Sequence, residues 1–158
     1  MTVRKAYLDM SEGQLHYRFI DGPGEIPVVF FHQTASSSAM FEQLMVRLQG
    51  KYRLIALDTP GFGQSFFPSC APDTRYYVET LLAALDQLGV GRFHAFGHHT
   101  GAAIACELAA VHPERVASLS MIGPVVLTPQ ERRQWLDTAI DPMVLKADGT
   151  QYMKIWYR

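Results

Sequence analysis

The chain has 158 residues, and 14 Lys and Arg against 15 Asp and Glu give a formal net charge of -1 at pH 7. This balance leaves no basic excess to neutralise a phosphate backbone, so nucleic acid is not expected as a partner. No apolar run approaches the roughly 18–20 residues that cross a bilayer, and the N-terminal residues show no signal-peptide pattern. We therefore expect a cytoplasmic protein that acts on a small molecule and has no membrane partner.

The chain contains two cysteines, Cys70 and Cys106. Two cysteines do not make a disulfide framework, and their spacing is not that of a zinc site. The sequence therefore predicts neither a structural metal nor a cofactor.

The spacing of apolar residues predicts an N-terminal hairpin followed by strands and helices in alternation. Strands are predicted at 3–10, 14–21, 26–32, 52–58, 92–97 and 116–122. Helices are predicted at 36–49, 72–88, 100–111 and 128–140. Such alternation is typical of parallel strands joined by right-handed crossovers. The predicted fold class is therefore α/β, a doubly wound and mostly parallel sheet with an N-terminal antiparallel hairpin and helices on both faces.

The residues that follow the parallel strands are the candidates for chemistry, because ligands of open parallel sheets bind at the carboxyl ends of the strands. The third strand ends at His32, and Gln33 and Thr34 follow it. The fourth strand ends at Asp58, and the fifth runs into Gly97-His98-His99-Thr100-Gly101.

This last segment has small residues on either side of a central side chain, between a strand and an apolar helix. The pattern is typical of a nucleophile elbow, a turn so sharp that its flanking glycines prevent clashes. The side chain of His99 would then stand clear above the sheet. The amide of Thr100 would point to the same place, where the helix N-terminus favours an oxyanion.

Four segments, in this order, resemble the α/β-hydrolase superfamily. They are Val28 to Thr34, Asp58-Thr59-Pro60-Gly61-Phe62-Gly63-Gln64-Ser65, Gly97 to Ala102, and His112-Pro113-Glu114-Arg115-Val116. The resemblance covers roughly residues 3 to 127. It implies an α/β-hydrolase core at 1–127 and the start of a lid at 128–158, with the fold truncated after the sixth strand.

The resemblance also implies an activity, the hydrolysis of a small ester, amide or related carbonyl compound. The candidate catalytic residues are His99, Thr100, Thr34, Gln33 and His32, with backbone amides at Thr100 and at Thr34 or Gln33 as the oxyanion hole. Two positions depart from the family pattern. His99 stands where the family has Ser, or less often Asp or Cys, and Gln33 stands where Gly usually follows the histidine.

Two alternatives remain open at this point. The first is that His99 fills a degenerate elbow, which would make the chain a catalytically inactive binding module or a fragment lacking the acid and the base. The second is a zinc or iron site formed by His32, Asp58, His98 and His99 at neighbouring strand ends. We favour the metal-free interpretation, because the adjacent His98 and His99 should point in different directions. His98 is expected to pack under the turn, and His32 to tie the oxyanion loop to neighbouring backbone.

The loop after the fourth strand carries three phenylalanines, a serine and an aspartate. Phe62, Phe66 and Phe67 either line an apolar pocket or pack into the core. Ser65 has no elbow chemistry around it, so a turn role is expected. Asp58 is expected to bond the backbone amides of its own turn.

The strand at 116–122 is predicted to lie at the edge of the sheet, with Leu119, Met121 and Ile122 uncovered. An uncovered apolar edge is a template for pairing with another chain. Self-association through this edge is therefore a possible partner interaction.

Overall fold

The computed structural model describes residues 2–139 and 147–150, and the chain divides into two compact units, 1–125 and 126–158. The strands are β1 (Arg4–Met10), β2 (Gly13–Ile20), β3 (Val28–Phe31), β4 (Leu54–Leu57), β5 (Phe93–His98) and β6 (Val116–Ile122). The helices are α1 (Glu42–Leu48), α2 (Thr74–Gln87), α3 (Thr100–Val111) and α4 (Pro129–Ala139). Within the described residues, no helix is long and apolar enough to span a membrane.

The six strands form one sheet in the order β1-β2-β4-β3-β5-β6. Strands β1 and β2 form an antiparallel hairpin, and β2 also pairs antiparallel with β4. Strands β4, β3, β5 and β6 run parallel to one another. The α/β fold class with a mostly parallel sheet is thereby confirmed. The parallel register aligns Phe31 with Leu57 on one side and with Gly97 on the other, so the ends of β3, β4 and β5 lie level.

Apolar side chains cover both faces of the sheet, as the continuous apolar strands predict. Phe31 belongs to a buried cluster with Leu85 of α2 and Leu108 of α3. The neighbouring Phe30 points to the opposite face, where it belongs to a second cluster with Met45 of α1. Helices on both faces are therefore confirmed.

The first crossover differs from its prediction. One helix was expected over 36–49, but a 3-10 turn at Ser38–Phe41 precedes the short helix α1. The hydroxyl of Ser37 accepts a hydrogen bond from the backbone N–H of Ala39 at 3.3 Å, which caps the 3-10 turn and not α1. The side chain that stabilises this start therefore favours the tighter turn.

Helix α4 begins with a capping box formed by Thr128 and Glu131. The backbone N–H of Glu131 donates to Thr128 Oγ1 at 3.2 Å, and the backbone N–H of Thr128 donates to Glu131 Oε2 at 2.8 Å. These reciprocal bonds satisfy two N–H groups at the helix start. Residues 140–146 and 151–158 lie outside the described residues, so a lid at 128–158 stays a prediction.

Strand β6 forms an edge of the described sheet, where it pairs with β5. The side chains of Met121 and Ile122 are 42% and 50% exposed, as predicted for an uncovered edge. The prediction was wrong for Leu119, which packs partly buried against the larger core cluster. Leu119 alternates with Ser118 and Ser120, so its side chain faces the sheet surface that α3 covers.

Candidate functional site

The carboxyl ends of three adjacent strands bring the predicted site residues to one edge of the sheet. His32 follows β3, Asp58 follows β4 and His99 follows β5. Because β3 lies between β4 and β5, the loops after these strands are neighbours. This edge is where open parallel sheets bind their ligands.

Strand β5 turns into α3 at a single residue, His99. Its backbone angles are φ 50° and ψ -113°, a conformation that a non-glycine residue rarely adopts. Backbone hydrogen bonds hold the turn. The N–H of His99 donates to the carbonyl of Ile122 at 2.9 Å, and its carbonyl accepts from the N–H groups of Ala102 at 2.9 Å and Ala103 at 3.2 Å. The side chain is exposed. Strain of this kind is concentrated at functional sites, because the surrounding structure must hold it in place.

Three glycines leave room for this turn. A Cβ at Gly97 would collide with the backbone of Gly101, and a Cβ at Gly101 would collide with the carbonyl of Phe31. Gly123 has φ +57°, and a Cβ there would lie 3.1 Å from Nε2 of His99. The absence of side chains at these positions therefore lets α3 approach β3 and lets the imidazole lie against the backbone after β6.

The two adjacent histidines of the turn do not converge on a common point. The rings of His98 and His99 meet edge to face, with centroids 4.9 Å apart and planes at 85°. His98 is half-buried, and its Nδ1 is buried without a hydrogen-bond partner in the part of the chain that the structure describes. Among residues 2–139 and 147–150, no group of three His, Cys, Asp or Glu side chains is arranged to hold a metal ion. The zinc or iron alternative therefore has no geometric support.

His32 connects the loop after β3 to the turn after β4. Its Nδ1 lies 2.7 Å from the carbonyl of Gln33, and its Nε2 accepts a hydrogen bond from the backbone N–H of Thr59 at 3.0 Å. This assigns the neutral tautomer with the proton on Nδ1. Burial lowers the pKa of His32, and this outweighs the opposing effects of the Gln33 carbonyl and the Asp58 charge. With both ring nitrogens engaged, His32 is placed to position the loop.

Thr34 and Thr100, which lie 66 residues apart, meet at the turn. The backbone N–H of Thr34 donates to Oγ1 of Thr100 at 2.5 Å, and the two hydroxyl oxygens lie 2.8 Å apart. Both residues are exposed. The loop turns sharply next to Thr34, since Ala35 has a φ of 59°. The amide of Thr34 therefore faces the N-terminal end of α3, and Gln33 is half-buried beside it.

A buried polar network stabilises the loops behind the site. Asp58 Oδ2 lies 2.8 Å from Nδ1 of His16, Oδ1 accepts from the backbone N–H of Ser38 at 2.6 Å, and Oδ2 also accepts from that of Gln64 at 2.9 Å. Nη1 of Arg18 lies 3.8 Å from Oδ1. Burial raises the pKa of Asp58, but the hydrogen bonds outweigh it, so the net pKa is lowered.

The network includes partners that the sequence did not reveal. Asp58 bonds its own turn as predicted, through Gln64, but its contact with His16 on β2 depends on the antiparallel pairing of β2 and β4. No local pattern around His16 signals this contact. Ser65 has the predicted turn role, since its hydroxyl donates to the carbonyl of Asp58 at 2.7 Å and accepts from the N–H of His16 at 3.0 Å.

A cavity of about 240 Å³ lies beside the turn. Its walls include Thr34, Thr100, Phe62, Thr74, Tyr77 and Ile104. Among the described residues that line it, none is Asp, Glu, Lys or Arg, and burial raises the pKa of Tyr77.

The three phenylalanines of the loop after β4 have different environments. Phe62 lines the cavity, Phe66 packs against the larger core cluster and Phe67 is 84% exposed. The pocket interpretation therefore holds for Phe62 and the core interpretation for Phe66, and neither holds for Phe67.

Comparisons with known proteins agree with this architecture. Residues 26–148 match the profile of the alpha/beta hydrolase fold family. The chain is 34% identical over 117 residues to the dihydrolipoyllysine-residue acetyltransferase component of the acetoin cleaving system of Pseudomonas putida, an alignment that covers 74% of this chain and 32% of that protein. It is 29% identical over 136 residues to the proline iminopeptidase of Neisseria gonorrhoeae, covering 84% of this chain and 44% of that enzyme.

A solved structure shares the fold of this chain. The crystal structure of an alpha/beta hydrolase from Novosphingobium aromaticivorans DSM 12444 superimposes with a TM-score of 0.74 at 28% identity, covering 87% of this chain and 50% of that one. The chain thus spans between a third and a half of the length of these relatives. From the family profile, which extends over most of the chain, and from the shared sheet, we conclude that the chain belongs to the alpha/beta hydrolase family.

Proposed function

We propose that the chain provides the nucleophile and the oxyanion hole of a hydrolase that acts on a small ester, amide or related carbonyl compound. The observation that carries this proposal is the strained turn at His99, which holds an exposed imidazole over the carboxyl end of the sheet. A strained and exposed side chain at this position is what a nucleophile elbow requires.

His99 would act as the nucleophile. A neutral imidazole nitrogen attacks acyl carbons without a separate base. Attack on the carbonyl carbon gives a tetrahedral oxyanion on a positively charged ring. Its collapse breaks the bond to the leaving group, which takes up the proton released from the other ring nitrogen and departs as the alcohol or amine, and a neutral acyl-imidazole remains. Water then hydrolyses this acyl-imidazole and restores the histidine.

The N–H groups of Thr100 and Thr34 would stabilise the oxyanion. Thr100 is the first residue of α3, so its N–H has no partner within the helix, and the helix dipole favours negative charge there. The N–H of Thr34 points to the same region, because it bonds to the Thr100 side chain. Stabilisation of a developing oxyanion by such donors is commonly the largest contribution to the rate enhancement of acyl transfer.

The cavity supports a small and uncharged acyl substrate. A volume of about 240 Å³ is below the range of drug-sized pockets, and its walls combine apolar surface with threonine hydroxyls. Within the part of the chain that the structure describes, no charged side chain lines it to compensate the desolvation of an ionic substrate.

A second candidate is a binding module that shares the scaffold but performs no chemistry. Two observations favour it. The turn carries an imidazole where the family pattern has a hydroxyl, carboxylate or thiol, and the N–H of Thr34 already has a partner. Such a module would bind small carbonyl compounds in the same cavity without turnover.

Turnover of p-nitrophenyl acetate and butyrate by the 158-residue chain and two histidine variants separates these candidates. His99→Ala should lower kcat/KM by at least about a hundredfold, the usual contribution of a group that moves or forms bonds with the reacting atoms. His112→Ala is the matched control, since it removes another accessible imidazole roughly 20 Å away at the opposite end of α3. Equal rates for the wild type and His99→Ala would exclude His99 as the nucleophile. Ligand binding without turnover in either protein would support the binding module.

A further inference from the structure

The hydrogen bond from Thr34 to Thr100 places a hydroxyl of the chain itself on one of the two proposed oxyanion donors. We propose that Oγ1 of Thr100 is a built-in occupant of the Thr34 amide, which a substrate oxygen must displace. Thr100 is then a gating residue of the site, in addition to its role as a backbone donor. This inference rests on the role given to the Thr34 amide in the proposed function.

The geometry of the two residues carries the inference. Oγ1 of Thr100 lies 2.5 Å from the backbone nitrogen of Thr34 and 2.8 Å from its hydroxyl oxygen. Both residues are exposed, and the acceptor that the structure shows for the Thr34 N–H is the Thr100 hydroxyl. The second proposed donor is the N–H of Thr100 itself. Oγ1 of Thr100 therefore lies close to both donor N–H groups.

The loop carrying the Thr34 amide is fixed from its other side. His32 binds the carbonyl of Gln33 at 2.7 Å and the N–H of Thr59 at 3.0 Å, so the loop is tied to the turn after β4. The position of the Thr100 hydroxyl depends on one torsion angle, because a χ1 rotation moves it between staggered positions. Opening the donor therefore requires rotation of one side chain and no movement of the loop.

The Thr100 hydroxyl is displaced more readily by an oxygen that carries negative charge than by a neutral one. A neutral carbonyl oxygen offers the Thr34 N–H a bond no stronger than the one it replaces, whereas an oxyanion offers a charge-assisted bond that is roughly twice as strong. The occupant thus penalises binding of neutral acceptors and is displaced most readily as the oxyanion forms. Its removal should make the donor available to every substrate.

Amide hydrogen exchange in the substrate-free protein tests the occupant directly. In a chain labelled with ¹⁵N-threonine, Thr100→Val should speed exchange of the Thr34 N–H by about tenfold, whereas Thr100→Ser, which keeps the hydroxyl, should leave it protected. The N–H of Thr59 is an internal reference, because His32 holds it independently of Thr100. Equal exchange of Thr34 in the valine and serine variants, with Thr59 unchanged, would overturn the proposal. If Thr100→Val fails to fold, Thr100→Ala makes the same comparison.

Kinetics then test the gate. Relative to Thr100→Ser, Thr100→Val should raise kcat/KM for p-nitrophenyl acetate by about three- to tenfold, as expected for one net hydrogen bond. A lower kcat/KM in Thr100→Val would show that the hydroxyl donates to the transition state and would contradict the gate. The two proposals fail separately, since loss of the proposed function removes turnover in all variants but leaves the exchange experiment intact.

Discussion

Nδ1 of His16 lies 2.8 Å from Oδ2 of Asp58, and both side chains are fully buried. The pair joins the N-terminal hairpin to the carboxyl end of β4, beneath the loops of the candidate site. Arg18 adds a positive charge on the other carboxylate oxygen. A buried carboxylate with this many partners stabilises the fold only while all of them are present.

Removal of the Asp58 charge should therefore destabilise the whole chain. Asp58→Asn keeps the shape but puts an amide NH2 where a carboxylate oxygen accepts backbone hydrogen bonds. It also leaves Arg18 with Glu42 as its ion-pair partner, so the free energy of unfolding should fall by more than about 2 kcal/mol. Denaturant titration measures this change. Asp86→Asn is the control, because Asp86 is exposed and its pair with Arg115 should contribute less than about 1 kcal/mol. Equal losses in the two variants would contradict the structural role of the network.

The ionisation of Asp58 should also make the free energy of unfolding depend on pH. The pKa of Asp58 is lowered in the folded chain, so the unfolded chain binds more protons wherever the two states differ. Its contribution is complete above the unfolded pKa of about 3.9 and is lost as the pH falls through the lower folded value. Unfolding free energies measured from about pH 5 downward should therefore fall more steeply for the wild type than for Asp58→Asn. Parallel curves would contradict the lowered pKa.

A glycine substitution tests the close approach of α3 to the sheet. Ala is normally preferred over Gly inside a helix by about 1 kcal/mol, but a Cβ at Gly101 would collide with the carbonyl of Phe31. Gly101→Ala should therefore lower stability by more than about 2 kcal/mol and reduce turnover through displacement of the turn. Gly91→Ala is the matched control, since nothing lies within 4 Å of its added Cβ. Stabilisation by Gly101→Ala would show that the turn is less tightly packed than described.

The edge strand β6 gives a prediction about association. Its seven residues include no charge and no proline, the usual protections against edge pairing, and Met121 and Ile122 are exposed. We expect concentration-dependent self-association of the chain in sedimentation velocity, and Ser120→Lys should shift it towards the monomer. Ala83→Lys, which adds the same charge on the exposed side of α2, is the control. A wild-type chain that is monomeric at every concentration would refute this prediction.

Much of the fold can be predicted from the sequence because its signals are local. The apolar run of α3 and the strand β6 have the bounds that their patterns predict, 100–111 and 116–122. The glycines around His99 likewise indicate the turn, because the steric conflict that they relieve lies within a few residues and at the adjacent strand. The alternation of strands and helices then determines which loops share an edge.

The contacts between distant segments could not be predicted in the same way. The pairing of His16 with Asp58 depends on the register between β2 and β4, and the bond between Thr34 and Thr100 joins residues 66 positions apart. Neither has a local pattern. The side chain of Leu119 was misplaced for a related reason, since only the position of α3 over the sheet decides which face of β6 is covered.

The most direct test of the central claim is the position of the acyl group during turnover. The chain is mixed with p-nitrophenyl acetate in continuous flow and passed within the first turnovers into a mass spectrometer, where the acetylated chain is fragmented in the gas phase to locate the acetyl group. We expect acetyl-imidazole at His99, absent in His99→Ala and unaffected by His112→Ala. Turnover that proceeds with acetylation at another residue, or with His99 unmodified throughout, would contradict it.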